Sequence, residues 1–289
     1  MTKALIPWWL KIALKIILSR TPVPYRSWAG LGLFRLGSMT DPAYALGVFH
    51  KHYSRADFSA KGRGFVCMEL GPGDSLCTAP IARAYGARET ILVDTGRHAS
   101  HDIGLVHALV YRLAGENAPH DVSDIEHVNS WEEILRLCNS RYLFEGVASL
   151  QEVPDASVDF AFSNAALEHV RRFQFRELAV ELRRVMRAGG IVSHTVDLTD
   201  HLDGGLNNLR FGEKLWEGRL FSRSGFYTNR LRFSEIVDIM TSVGFSVESL
   251  VKKRWDSLPL SRKSMHRQFA SMSDEDLMAY GFDIVLRAG

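Results

Sequence analysis

Two glycines and two carboxylates stand at spacings that suit the binding of a nucleoside cofactor. Gly71 and Gly73 follow a short apolar run, and glycines there let the backbone approach a ligand where any Cβ would clash. Glu69 precedes the first glycine, and its carboxylate would attract an ammonium group but repel a pyrophosphate. Asp94 follows the glycines by about 20 residues, at the distance where an acidic residue accepts hydrogen bonds from ribose hydroxyls.

A glycine turn by itself is weak support, because nicotinamide enzymes and many purely structural turns contain one too. Two features favour S-adenosylmethionine (SAM) over a dinucleotide. Leu76 occupies the position of the third glycine in a dinucleotide fingerprint, and the Glu69 carboxylate disfavours a pyrophosphate. We therefore predict SAM as the cofactor. The predicted binding residues in this part of the chain are Glu69, Gly71, Pro72, Gly73, Asp74 and Asp94.

A second group of polar residues follows two later predicted strands. Methyl transfer from a sulfonium is an in-line displacement, so the protein must align the reactants and remove a proton if the acceptor is a hydroxyl. His169 follows the fourth strand, while Asp197 and His201 follow the fifth, and a histidine beside a carboxylate can act as a general base. These three are the candidate catalytic residues. Each has a structural alternative, since His169 could simply satisfy buried backbone groups.

Histidine and aspartate also suit a divalent metal ion. Only His194 lies on the fifth strand itself, and no second ligand pair at an obvious spacing completes a coordination shell, so no metal is predicted. Further along, residues 207–211 and 227–232 combine amides, a phenol and arginines. They could recognise a sugar or an anionic acceptor, or they could satisfy the backbone of their own loop.

From residue 64 onward, apolar strand patterns alternate with helical ones, as in an α/β doubly wound parallel sheet covered on both faces. Gly189 and Gly190 are expected to end a helix, and Ser273 with Asp276 is expected to cap a short one. The predicted strands are 65–70, 90–94, 158–163, 191–196, 245–250 and 282–286, and the predicted helices are 75–85, 105–113, 130–139 and 173–187.

The sequence resembles the class I SAM-dependent methyltransferases, most closely their type 11 branch. The resemblance is carried by the glycine segment, Asp94, and residues 153–159, 163–170 and 184–190. It implies a Rossmann-like, seven-stranded sheet whose last strand is antiparallel, with Ser163 and Asn164 beside the cofactor. Many relatives have an aspartate after the third strand where this chain reads Gly-Val-Ala-Ser-Leu, so Ser149 and Leu150 are predicted to contact the adenine instead.

Composition narrows the class of protein. The chain has 289 residues, and 35 Lys and Arg against 33 Asp and Glu leave a net charge of +2, so no global basic field points to nucleic acid. Three cysteines without paired spacing argue against a disulfide framework, and a cytoplasmic location is expected.

The N-terminal residues 1–20 are predicted to form a helix with lysines on one narrow stripe. This helix could pack on the main domain, or it could be a peripheral membrane anchor with its lysines toward anionic lipid. We expect an N-terminal helical extension over residues 1–60 and a methyltransferase domain over 61–289, with inserts at about 95–145 and 200–232. The first insert could supply a lid, with His101 and Asp102 facing SAM or solvent.

Three functions fit these features. The favoured one is O-methylation of a hydroxyl on a glycan precursor or related small molecule, since the C-terminal half is similar to methyltransferases of polysaccharide assembly. A lipid or quinone-like acceptor is the second, and a SAM-binding or membrane-surface module without transferase activity is the third.

Overall fold

The computed structural model describes residues 7–18, 39–56, 64–100, 102–116 and 118–289. Much of the predicted extension over residues 1–60, and His101, lie outside the described residues. The described part of the extension consists of helix α1, Trp8–Leu18, and helix α2, Pro42–Arg55.

Seven strands form one mixed sheet in the order β3-β2-β1-β4-β5-β7-β6. β1 to β5 run parallel, while β7 is antiparallel to both of its neighbours, which confirms the predicted antiparallel last strand. The strands are β1 Phe65–Leu70, β2 Ala87–Val93, β3 Ser140–Leu143, β4 Val158–Asn164, β5 Met186–Asp197, β6 Phe245–Arg254 and β7 Ala279–Ala288.

Helices cover both faces of the sheet, as the alternating pattern predicts. Along β1, Phe65 and Cys67 pack into the apolar core on one face, while Val66 and Met68 pack into the core on the other. The first face is covered by α2, α3 (Thr78–Ala84), α4 (Gly104–Gly115) and α5 (Trp131–Leu137), and the second by α6 (Phe175–Val185) and α9 (Phe233–Ser242).

The glycine pair Gly189 and Gly190 does not end a helix, so that expectation is wrong. Helix α6 ends at Val185 and β5 begins at Met186, so both glycines lie within the strand. The β4–β5 register shifts there, and Gly189 has a φ of +75°. A Cβ on Gly190 would lie 2.9 Å from the Arg187 carbonyl oxygen. The pair therefore forms a bulge in the strand.

The segment between β5 and β6 carries small helices and an apolar cluster of its own. Its short helices are α7, Glu213–Trp216, and α8, Arg219–Ser222. Two more, α10 (Arg267–Ala270) and α11 (Asp274–Met278), lie between β6 and β7, and Ser273 caps α11 as predicted by accepting from the Asp276 amide. Trp216, Phe221, Phe226 and Tyr227 form one cluster with Ile12 of α1.

Helix α1 packs on this cluster with an unusual orientation. Its lysines point inward, because Lys11 pairs with Asp203 and the Lys15 ammonium donates to the His201 carbonyl at 2.7 Å. Of the two alternatives, these contacts match packing on the main domain, and they do not match a membrane anchor with its lysines toward anionic lipid. The outward face is apolar, with Trp9 57% and Ile17 61% exposed. Within the described residues, no helix is long and apolar enough to cross a membrane.

Candidate active site

A cavity of about 1200 Å³ opens at the carboxyl ends of β1, β2 and β4. Parallel sheets commonly bind ligands at this edge. The volume exceeds the roughly 300–1,000 Å³ typical of one small-molecule site, so it has room for a cofactor and an acceptor. The predicted cofactor residues that line it are Glu69, Gly71, Pro72, Gly73, Asp74, Asp94 and Asn164.

The turn after β1 needs both of its glycines. Gly71 and Gly73 have φ values of +76° and +68°, a region that is costly for residues with a Cβ. A Cβ on Gly71 would also lie 2.5 Å from the Ala166 Cβ, whereas one on Gly73 would meet nothing within 4 Å. Gly71 thus lets the loop after β4 approach the turn, and Gly73 leaves open space on its ligand side.

Asp94 joins this turn to the end of β2. One carboxylate oxygen accepts from the Gly73 amide at 3.0 Å, and the other accepts from the Thr95 amide at 2.7 Å. The Thr95 hydroxyl also donates to this second oxygen, at 3.4 Å, while the oxygen bonded by Gly73 keeps a further lone pair. Because Asp94 also lines the cavity, its carboxylate can accept hydrogen bonds from a vicinal diol there.

The Glu69 side chain is buried at the end of β1, and its Oε2 atom has no hydrogen-bond partner among the described residues. Burial raises the pKa of Glu69 to about 8; the nearby Thr78 hydroxyl opposes this rise and the Asp94 charge adds to it. A buried carboxyl without a partner is costly unless a cation or donor meets it. The SAM ammonium supplies both, so the residues present fit this cofactor.

Three predicted cofactor residues, Ser149, Leu150 and Ser163, are not among the residues that line the cavity. The Ser149 hydroxyl accepts from the Glu145 amide at 2.8 Å, and Leu150 is buried in the core. The Ser163 hydroxyl bonds the Nδ1 atom of His194 on β5. Residues Glu145, Gly146 and Val147 form the wall after β3 instead.

Of the predicted catalytic residues, only His169 lines the cavity. Its Nδ1 atom lies 3.1 Å from the Tyr227 carbonyl oxygen and donates to it, which leaves the Nε2 lone pair free. The ring lines the cavity on one side. Burial by the surrounding protein lowers the pKa of His169 below the ordinary 6.5, and the nearby His201 lowers it further. The imidazole is therefore neutral at physiological pH.

Asp197 and His201 stand behind His169 rather than on the cavity wall. The His201 ring packs edge to face on His169, with centroids 4.9 Å apart. One Asp197 oxygen lies 3.8 Å from His201 Nε2, and the other accepts from the Thr199 amide. Burial lowers the pKa of His201, with Asp197 opposing it. The structure thus brings the three together, with His169 in front.

Comparison with known proteins supports the chemistry suggested by this geometry. Residues 101–193 match the profile of a family described as a methyltransferase domain, of type 11. This stretch begins after the glycine turn and Asp94, so the match and the cofactor geometry are independent observations. The match indicates a methyltransferase domain in this part of the chain, and the residues that line the cavity fit S-adenosylmethionine.

The chain is also similar in fold to solved structures of low identity. A SAM-dependent methyltransferase from Methanosarcina mazei is 15% identical, with 78% of this chain and 93% of that one covered and a TM-score of 0.47. Geranyl diphosphate C-methyltransferase from Streptomyces coelicolor A3(2) is 14% identical, with 82% and 79% covered and a TM-score of 0.44. No curated protein matches the sequence. Likeness at this level says nothing about the acceptor.

Glu168 is a member of the site that sequence reasoning missed. It is 2% exposed, and the donors nearest to its carboxyl are the amides of Glu168 and Asp197, neither of which reaches ordinary hydrogen-bond geometry. Burial raises the pKa of Glu168 well above 4.5, and the charge of the Asp197 side chain raises it further. The backbone amides of Glu168 and Asp197 lower it in part. The available signal was its position directly before His169, but the pattern did not reveal that it is buried.

Several polar residues of the segment after β5 bond to the backbone or to charged groups of the protein itself. For these residues the structure matches the interpretation that they stabilise their own loop, rather than the interpretation that they recognise an acceptor. Asn229 donates to the carbonyls of Leu167 and Val170, at 2.8 and 3.0 Å, and so fixes the turn that carries His169. Arg232 is buried and donates to the carbonyls of Leu198 and Asp276. Arg230 is buried too and pairs with Glu213.

The predicted lid is limited to a short stretch. Thr95, Arg97, His98 and Ala99 line the cavity, but α4 packs its apolar face into the core under the sheet. The Asp102 carboxylate accepts from the Gly104 amide at 2.9 Å, at the start of α4.

Proposed function

We propose that this methyltransferase transfers the methyl group to a hydroxyl of a glycan precursor or a related small molecule. One observation carries the proposal: His169 presents a neutral imidazole with a free Nε2 lone pair to the cavity, beside the loop where β4 ends. A neutral imidazole can accept a hydrogen bond from an acceptor hydroxyl, which orients its oxygen and receives its proton as the new bond forms.

In this proposal the glycine turn and its carboxylates hold the cofactor. Glu69 receives the ammonium of the methionine moiety, Asp94 receives the ribose hydroxyls, and Gly71 and Gly73 let the backbone approach. Bound SAM supplies an activated methyl group on a sulfonium. The role of the protein is then mainly alignment. A nucleophile that is already held in place reacts faster, because the translational freedom that the reaction must lose was lost on binding.

The acceptor side of the cavity suits a polar ring. Tyr44, Arg171 and Gln174 line it together with His169. The Arg171 guanidinium is held in place by Glu217 and lies over the Tyr227 ring, 4.8 Å from its centroid. An arginine fixed in this way can donate to hydroxyl or anionic groups without losing much side-chain entropy.

Transfer of radiolabelled methyl from SAM to a panel of nucleotide sugars and lipid-linked sugars tests the proposal. We expect the label in an ether of one sugar acceptor. His169→Gln should lower kcat by about 100-fold or more, which is the usual size of a general-base contribution, while SAM affinity stays within twofold. Label transferred only to nitrogen or carbon acceptors, or full activity in His169→Gln, would refute it.

A lipid or quinone-like acceptor is the second candidate, and the outward face of α1 favours it. Trp9, Leu10, Leu14 and Ile17 are exposed on one side of a helix that packs beside the turn of His201. Such a face can enter the headgroup region of a membrane and bring the cavity to a membrane-borne acceptor. Quinols and lipids without a sugar, added to the same panel, decide between the two candidates. We place the enzyme in the cytoplasm, on the strength of three buried free thiols.

A further inference from the structure

The buried carboxyl of Glu168 is part of a three-residue cluster of which one member, His169, lines the cavity. One ligand atom from each of Glu168, His169 and His201 can be chosen so that all three lie within 4.8 Å of one another. Atoms bound to one ion at about 2.1 Å stand roughly 3–4 Å apart, so small side-chain rotations would bring them onto a common centre.

Two members have a coordinating atom available. The Nδ1 atom of His169 donates to the Tyr227 carbonyl, which leaves Nε2 free, and this arrangement is typical of a metal-bound histidine. Neither Glu168 oxygen has a partner at ordinary hydrogen-bond geometry, and no described lysine or arginine forms an ion pair with this residue. Buried carboxylates in proteins are normally paired, hydrogen-bonded or bound to a metal.

Surrounding groups hold the cluster in place. Asn229 fixes the turn of Glu168 and His169 through the carbonyls on either side of it. Asp197 lies 3.8 Å from His201 and adds negative charge next to the cluster. Glu168 is the buried member of the cluster, while His169 lines the cavity.

We propose that Glu168, His169 and His201 bind a divalent transition-metal ion at the wall of the SAM cavity. Two imidazoles and one carboxylate on one side of an ion suit zinc, manganese or ferrous iron and leave other positions open. With a metal bound, the His169 Nε2 atom is a ligand and no longer the base. If the acceptor is a hydroxyl, as in the proposed function, its oxygen would take an open position on the ion, which would lower the pKa of the hydroxyl so that water can accept its proton.

Cobalt titration of the tag-free, full-length protein, stripped with a chelator, tests the site without any acceptor. We expect visible absorption bands from one Co²⁺ per chain. Glu168→Gln keeps the size of the side chain but removes its charge and should weaken binding at least tenfold. His201→Gln should do the same. His127→Gln, at an exposed histidine away from the cavity, is the matched control and should bind as the wild type does.

Binding of S-adenosylhomocysteine confirms that each variant is folded, and His201→Gln decides the question if Glu168→Gln does not fold. No Co²⁺ bound by the wild type, or undiminished binding in a folded variant, would overturn the proposal. Because the titration uses neither SAM nor acceptor, its outcome is separate from that of the methyl-transfer assay. Failure to find an acceptor would leave this result unaffected.

Discussion

The Gly73 backbone amide donates a hydrogen bond to the Asp94 carboxylate at 3.0 Å, and this contact links the turn after β1 to the end of β2. Asp94 therefore has two tasks. It shapes the glycine turn from within the protein, and its remaining lone pair faces the cavity. The spacing between the two residues, from which the sequence predicts a ribose contact, thus also reflects a structural contact.

The two glycines of the turn should respond differently to alanine. Both have positive φ, which costs about 1–2 kcal/mol for a residue with a Cβ. Gly71→Ala adds a clash with Ala166, while Gly73→Ala adds none within the protein. Urea unfolding should therefore show a larger loss of stability for Gly71→Ala. Equal losses would mean that the close approach of Ala166 is unimportant.

Binding of SAM should release a proton from Glu69. Its pKa of about 8 makes the carboxyl neutral at pH 6, and an arriving ammonium favours the ionised form. At pH 6 the free SAM amine is already charged, since its ordinary pKa is about 8. Calorimetry in buffers of different ionisation enthalpy should show about one proton released per SAM. Glu69→Gln should show none, and an unchanged value in that variant would contradict the assignment.

The same carboxyl should make stability of the cofactor-free protein fall with rising pH. Because the folded pKa, about 8, lies above the ordinary 4.5, the folded state holds a proton that the unfolded state has lost. The contribution is full below about pH 4.5 and disappears as pH rises to about 8. Urea unfolding of wild type and Glu69→Gln should diverge across this range. Parallel profiles would show that Glu69 does not titrate there.

Asn229 should matter for catalysis more than for cofactor binding. Asn229→Ala frees the Leu167 and Val170 carbonyls, which should cost about 1–3 kcal/mol and loosen the turn of His169. We expect kcat to fall at least tenfold while SAM affinity stays within twofold. Ser234→Ala is the matched control, because it removes a hydrogen bond to Asp276 away from the cavity. Equal kcat values in both variants would argue against a positioning role.

Helix α1 should bind vesicles through its apolar face rather than through charge. Since Lys11 and Lys15 face the protein, flotation should succeed with neutral as well as anionic vesicles and should change little with salt. Replacing Trp9 and Ile17 by serine should abolish flotation and leave Tm nearly unchanged. Ile12→Ala, at a position buried against Trp216, should instead lower Tm. Flotation that needs anionic lipid would contradict this orientation.

Local patterns predicted the sheet and the cofactor turn because both depend on residues close in sequence. The β1 run, the glycines and Asp94 lie within one strand-helix-strand unit, and its periodicity is visible in the chain. The sequence could not show that Ser149 and Ser163 face away from the cavity lining, because a serine in a loop or at a strand end can face either side. Glu168 was missed because its burial depends on Tyr227 and Asn229, which arrive from about 60 residues away.

Calorimetric titration of SAM into the full-length protein tests the central claim most directly. We expect one site per chain with micromolar affinity, weakened at least tenfold in Asp94→Ala, because that change removes both the ribose acceptor and the Gly73 contact. NAD should not bind measurably. Tight binding of NAD with no binding of SAM would contradict the account.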